Sequence, residues 1–157
     1  MRTGRPVKNP KEITDKVYCS RYLDSPVDPL YVFGHGLSYN TYTYDHLTLS
    51  SDVMTPDKPI EVTVTVKNEG AYTGKEIVQL YIHDMVASVV RPVKELRNYA
   101  KIELKPGECV PVTFTLTVKD LAFHTASGEF AEERGQFEVY VGKNSDDCLS
   151  ATFRFEK

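Results

Sequence analysis

From Ile60 to Val66 the chain reads Ile-Glu-Val-Thr-Val-Thr-Val, a strict alternation of apolar and polar positions. Successive side chains of a strand point to opposite faces, so this run predicts a half-buried β-strand. Val62, Val64 and Val66 then face inward, and Thr63 and Thr65 face out. Val110 to Val118 repeats the pattern with Val112, Phe114, Leu116 and Val118 on one face, and Gln136 to Gly142 turns Phe137, Val139 and Val141 inward. Glu76 to Asp84 is more continuously apolar, through Ile77-Val78-Gln79-Leu80-Tyr81-Ile82, as a central strand should be. Thr41 to Leu49 is rich in strand formers, and Leu149 to Phe155 supplies a closing strand. Val93 to Leu104, between Pro92 and Gly107, reads as one more. Asn68-Glu69-Gly70 has turn chemistry, and Lys119-Asp120-Leu121-Ala122-Phe123 suits a single helical turn between strands. No internal repeat and no low-complexity tract appears.

About seven short strands with no long helix predict an all-β fold, an antiparallel two-sheet sandwich of immunoglobulin-like or fibronectin-like type. It should run from about Leu37 to Phe155, with Leu80 and Ile82 joining the inward residues above. Residues 1–36 differ. They hold Pro6, Pro10, Pro26 and Pro29, mixed charges and no sustained periodicity, and read as an extended N-terminal arm. Residues 37–157 form the sandwich. The arm also carries Tyr18, Tyr22, Leu23, Leu30 and Tyr31, more apolar side chains than a free linker spends, so it should lie along a surface.

The junction is the most informative stretch. Tyr31-Val32-Phe33-Gly34-His35-Gly36-Leu37-Ser38-Tyr39 puts three aromatic side chains and two glycines around one histidine. Gly34 and Gly36 free the backbone for positive φ or close approach by a neighbour. The aromatics are costly to leave in water and should clamp this turn onto something. Length and charge narrow the rest. The 157 residues suit one domain with an appendage. The net charge of −3, with interspersed signs, leaves no basic stripe for nucleic acid, and no apolar run approaches a membrane span. Met1-Arg2-Thr3-Gly4-Arg5-Pro6 has no apolar core of the kind a signal peptide needs. Cys19, Cys109 and Cys148 are too few and too scattered for a disulfide framework or a zinc ribbon, although one pair could form.

The string Phe33-Gly34-His35-Gly36-Leu37-Ser38-Tyr39 resembles the PFGxGLSYT signature of family 3 glycoside hydrolases, the β-glucosidase and β-xylosidase group. Further strings follow in that family's order. Val66 to Gly70 with Gly74 to Tyr81 is similar to VxNTGxxxGxEVVQLY, and Ser88 to Leu96 to SVxRPVKELKGF. Leu104 to Glu108 and Gly135 to Gly142 resemble the strings near its end. The arm agrees too, since Thr3 to Pro6 and Ser20 to Asp24 are similar to the segment joining the second domain to the third. The resemblance implies a C-terminal fibronectin type III-like domain whose partners are a catalytic (β/α)8 barrel and an α/β sandwich, in a periplasmic or secreted parent. It also implies that the chain alone is inactive, because the family's nucleophile and acid/base residue lie in those other domains.

The residues themselves offer little competing chemistry. Glycoside hydrolysis needs two carboxyl groups facing each other across the bond. Asp146-Asp147 and Glu132-Glu133 are adjacent in sequence and would point to opposite faces of a strand, so no catalytic residue is assigned. His35, His46, His83 and His124 lack ligand spacing, and Gly34-His35-Gly36 is too short for a phosphate loop, so no metal or cofactor site is assigned. Ser38 and Ser88 have no neighbouring base. Without Trp, the chain lacks the usual sugar-stacking platform, but Tyr can substitute, and ten Tyr keep weak glycan contact and the alternative reading, a free-standing carbohydrate- or protein-binding β-sandwich module, open. Arg91 could make a forked bond to a carboxylate on another domain from a Pro92-stiffened strand edge. The residues assigned to interdomain packing are therefore Tyr22, Tyr31, Phe33, Gly34, Gly36, Leu37, Tyr39, Arg91 and Pro92, with Tyr18 and Tyr42 as further aromatic candidates.

Overall fold

A computed structural model describes residues 29–157. Eight of its elements frame the sandwich: β1 (Tyr42–Leu49), β2 (Val53–Met54), β3 (Ile60–Asn68), β4 (Gly74–Asp84), β5 (Glu95–Leu104), β6 (Cys109–Leu116), β9 (Gly135–Gly142) and β10 (Cys148–Phe155). Between β6 and β9 lie a helical turn, α1 (Val118–Leu121), and a small hairpin of β7 (Phe123–His124) and β8 (Phe130–Ala131). One sheet has the order β1-β3-β6 and the other β2-β10-β9-β4-β5. All pairings are antiparallel except β2 with β10. This is the all-β sandwich that the alternation predicts.

The alternation also fixes the faces. Val62, Val64 and Val66 of β3 pair with Phe114, Val112 and Val110 of β6. They meet Leu80, Ile82, Phe137, Val139 and Val141 from the larger sheet in one buried core. Burying such side chains stabilises by about 1.5–3 kcal/mol each relative to exposure. Thr63 and Thr113 face away and join hydroxyl to hydroxyl at 2.9 Å. One buried polar side chain spans the end of the core. Asn68 Nδ2 donates to the carbonyls of Tyr72 and Leu104, and its Oδ1 accepts from the Gly70 amide.

Local chemistry moved several boundaries. Val118 opens α1 instead of extending β6, because the Thr117 amide and hydroxyl both donate to Asp120 and cap the turn. The strand expected from Val93 starts at Glu95, after residues drawn into side-chain bonds described below. Tyr42 belongs to the core rather than to an outer contact. Short β2 and the β7–β8 hairpin carry no period that two-residue strands could display.

Two expectations follow. Phe114 is almost fully buried, so Phe114→Ala should cost about 3–5 kcal/mol in a denaturant titration. Glu76 sits half-buried between the sheets, accepting from the Tyr44 hydroxyl at 2.7 Å. Burial raises its carboxyl above the ordinary carboxylate range, outweighing that hydrogen bond, which lowers it. The stability linked to protonated Glu76 is full below the ordinary range and is lost as pH rises through the raised value. Glu76→Gln should therefore match the native chain near about pH 3 and exceed it near about pH 7 in urea titrations.

Candidate functional site

The glycine turn is latched onto the outer face of the larger sheet. Adjacent β4 residues face opposite ways, so Leu80 and Ile82 enter the core while Gln79 and Tyr81 point outward. Both outward residues are nonetheless buried, beneath residues 31–35. The His35 amide donates to the Val32 carbonyl at 3.1 Å and closes a four-residue turn. Gly34 occupies its third position at φ +80°, as a type II turn requires. A Cβ there would also collide with the Gln79 and Tyr81 side chains.

Gln79 is the latch. Its Nε2 donates to the Gly34 carbonyl at 3.1 Å and the Lys143 carbonyl at 2.6 Å. Its Oε1 accepts from the Tyr81 hydroxyl. Phe33 sits edge-on to the Tyr81 ring, 6.3 Å between centroids, and its carbonyl accepts from the Ser145 amide at 2.9 Å. Burial pushes the Tyr81 phenol up to about 12, so it stays a donor at neutral pH. Tyr31 lies over His35, centroids 4.9 Å apart.

Beyond the turn the chain lifts off. Leu37 and Tyr39 are almost completely exposed, at 95% and 100%. Asn40 then fastens the chain again. Its Nδ2 donates to the Tyr72 carbonyl at 2.9 Å and to the Tyr42 hydroxyl, and its Oδ1 accepts from the Tyr72 amide. Gly70 and Gly74 leave the space that Asn40 fills, since a Cβ at either would strike it. Residues 36–39 are thus held at both ends while their apolar side chains project. With exposed Tyr72 they border an open cleft of about 520 Å³ between Leu37–Asn40 and Tyr72–Lys75.

The structure divides the residues that the sequence groups together. Phe33 and Gly34 clamp onto this domain's own sheet. Gly36 has neither positive φ nor a neighbour near a Cβ, so neither expected reason for glycine applies there. Leu37 and Tyr39 stand free, Tyr31 is mostly exposed, and Tyr18 and Tyr22 lie outside the described residues. Arg91 corrects its expectation. Its side chain is 7% exposed, and it forks to Asp84 at 2.9 Å and Glu95 at 3.1 Å inside this domain, 4.5 Å above the Phe123 ring. Glu95 also pairs with Arg97. Pro92 is half-buried beside this cluster. Lys94 is committed too, lying 4.0 Å from the Tyr140 ring centroid and donating to the Ser145 carbonyl at 2.7 Å.

Sequence reasoning missed Gln79, Asp84 and Asn40. A glutamine inside an apolar run and an aspartate at its end were the available signals, because a polar residue in a central strand needs partners. The cysteines give no bridge here: Cys109 and Cys148 are both free thiols, and Cys19 lies outside the described residues. Among the described residues no cluster of His, Cys, Asp or Glu could hold a metal ion. Among the described residues no helix is long and apolar enough to cross a membrane.

The strand order of the two sheets and the core they share define the class, a fibronectin type III-like sandwich. Residues 76–145 match the family described as Fibronectin type III-like domain. Over 98% of its length the chain is 41% identical to a Salmonella typhimurium protein named Periplasmic beta-glucosidase, covering 20% of that protein. It is 42% identical over 89% of its length to a putative beta-xylosidase of Formosa agariphila, covering 18% of it. The crystal structure of a Listeria innocua beta-glucosidase in complex with glucose superposes with a TM-score of 0.87 at 36% identity, across 99% of this chain and 21% of that one. The chain belongs to the fibronectin type III-like domains of the family 3 β-glucosidase and β-xylosidase group, and spans about a fifth of these relatives.

The latch carries a measurable expectation. Gln79→Ala leaves two carbonyls and the Tyr81 hydroxyl without their partner, and should cost about 1–3 kcal/mol. Hydrogen exchange at the Ser145 amide should quicken with it, while Tyr81→Phe, which removes one bond, should do less.

Proposed function

We propose that this chain is the non-catalytic C-terminal domain of a β-glucosidase-like family 3 enzyme, packing against its catalytic barrel and α/β sandwich and stabilising them. The observation that carries the reading is the rigid display of Leu37 and Tyr39 between two anchors, beside exposed Tyr72. Ordering a segment costs entropy, and here that cost is met by Gln79 and Asn40 before any partner arrives. Each Å² of apolar surface that a partner then covers contributes about 25 cal/mol. Residues 1–36 serve as the interdomain arm, and Tyr22, Tyr31 and Pro92 extend the packing surface. A parent located in the periplasm or secreted fits the name of the Salmonella relative.

The cleft suits packing better than sugar binding. Asn40 spends its amide on Tyr72 and Tyr42, leaving little to orient a hydroxyl-rich ligand. No carboxylate lines the cleft, and the buried Asp84 and half-buried Glu95 are engaged with arginines. No cofactor enters this reading.

Amide exchange tests it. Residues 37–39 should exchange more slowly in the full-length enzyme than in the isolated chain, and Tyr39→Ala should lower the melting temperature only of the full-length enzyme. Equal exchange in both contexts would defeat the proposal. So would release of sugar from an aryl β-glucoside by the isolated chain, if mutating one of its own carboxylates abolished it.

A further inference from the structure

Residues 85–94 join β4 to β5 by a connection longer than the about 2–5 residues with which hairpins usually turn. Its polarity is inverted. Val86 and Val90 are exposed at 83% and 103%, and Met85 and Val93 are each more than two-fifths exposed. Its charges point inward: Arg91 lies between Asp84 and Glu95 above Phe123, and Lys94 lies over Tyr140. Backbone amides are pinned as well, Val86 to Asp84 at 3.2 Å and Ser88 to Glu133 at 3.0 Å. A loop selected only for solubility would put its valines inside and its lysine and arginine in water. This one is stiffened by its charges so that its apolar side chains stand out.

We propose that this loop is a second docking surface of the domain, taking an apolar surface of the catalytic portion of its parent polypeptide. The inference rests on the reading above and adds a contact at the other end of the sandwich. Leu37, Tyr39 and Tyr72 lie beside Gly74 at the start of β4, whereas the loop leaves Asp84 at its end, roughly 34 Å away at strand rise. The occupant follows from two observations. The relatives continue for about four-fifths of their length beyond the matched part, so a large covalently attached surface is at hand. Arg91 is ion-paired within the domain and Lys94 is engaged by the Ser145 carbonyl and the Tyr140 ring, so the side chains the loop offers outward are apolar and suit an apolar partner surface. The loop is also tied to the latched turn that leads to the first surface, because Lys94 donates to the carbonyl of Ser145, whose amide holds Phe33. One contact would let the domain swing about its arm. Contacts at both ends of β4 fix its orientation.

Hydrogen exchange of residues 85–93 and 37–39, followed together, tests this. In the full-length enzyme the loop amides should exchange at least about tenfold more slowly than in the isolated chain, with little change on adding salt. Val90→Asp should abolish that slowing and lower the melting temperature of the full-length enzyme, while leaving that of the isolated chain unchanged because Val90 is fully exposed among the described residues. Val90→Ala should give a smaller effect in the same direction. Slowing at 37–39 but not at 85–93 overturns the second surface and leaves the first reading standing. Slowing at neither overturns both. Slow exchange in the dilute isolated chain at loop amides other than those of Met85, Val86 and Ser88, which the domain itself binds, means that its own N-terminal segment covers them, and slowing that grows with concentration means a second copy does. Either result overturns the proposal.

Discussion

The amide of Gln79 is the constraint on which the candidate docking face depends. A primary amide in a buried site needs two acceptors and one donor, and β4 by itself supplies only the Tyr81 hydroxyl. The remaining partners come from Gly34, forty-five positions upstream, and Lys143, sixty-four downstream. Three distant parts of the chain are therefore satisfied together or not at all. Once the turn is seated, the direction of residues 36–39 is set, and Asn40 closes the other end. The exposed Leu37 and Tyr39 owe their fixed position to a residue that touches neither of them.

The same economy governs the charges. Arg91 and Asp84 are nearly buried, and such a pair seldom stabilises a fold much, since desolvation offsets most of the attraction. Removing one partner alone is costly, at about 3–5 kcal/mol. What the cluster supplies is specificity. Arg91, Asp84, Glu95 and Arg97 lock the β4–β5 connection in one arrangement, with Phe123 beneath the guanidinium. Exposed apolar surface on a stiff frame costs little further entropy when a partner covers it.

Much of this was legible in advance where a side chain's role depends on its immediate neighbours. The inward residues of β3, β6 and β9, from Val62 to Val141, follow from alternation, because the two-residue period of a strand converts sequence directly into faces. Gly34 is expected to need positive φ or close approach by a neighbour, and it has both, φ +80° and the Gln79 and Tyr81 side chains where a Cβ would stand. Gly36 was marked for the same reasons and needs neither freedom, since composition shows that a turn is present and not which glycine bears it. Arg91 was identified as a forked binder of carboxylates. Its partner was misplaced because Asp84, seven residues earlier, comes within reach only when the chain doubles back.

By itself, then, the sequence determined the strands, their inward faces and the sandwich they build, since these follow from local period and from the bulk preference of apolar side chains for the interior. Its ordered strings also marked the family. Tertiary structure alone decided which of the marked residues turn inward. Phe33 and Gly34 are committed to this domain, Arg91 and Lys94 are engaged within it, and Leu37, Tyr39, Val86 and Val90 are left outward. The reason is that hydrogen bonds and ion pairs are specific in distance and angle, and join residues far apart in the chain. Local pattern sets how much apolar surface each element carries, but only the folded arrangement settles what that surface meets.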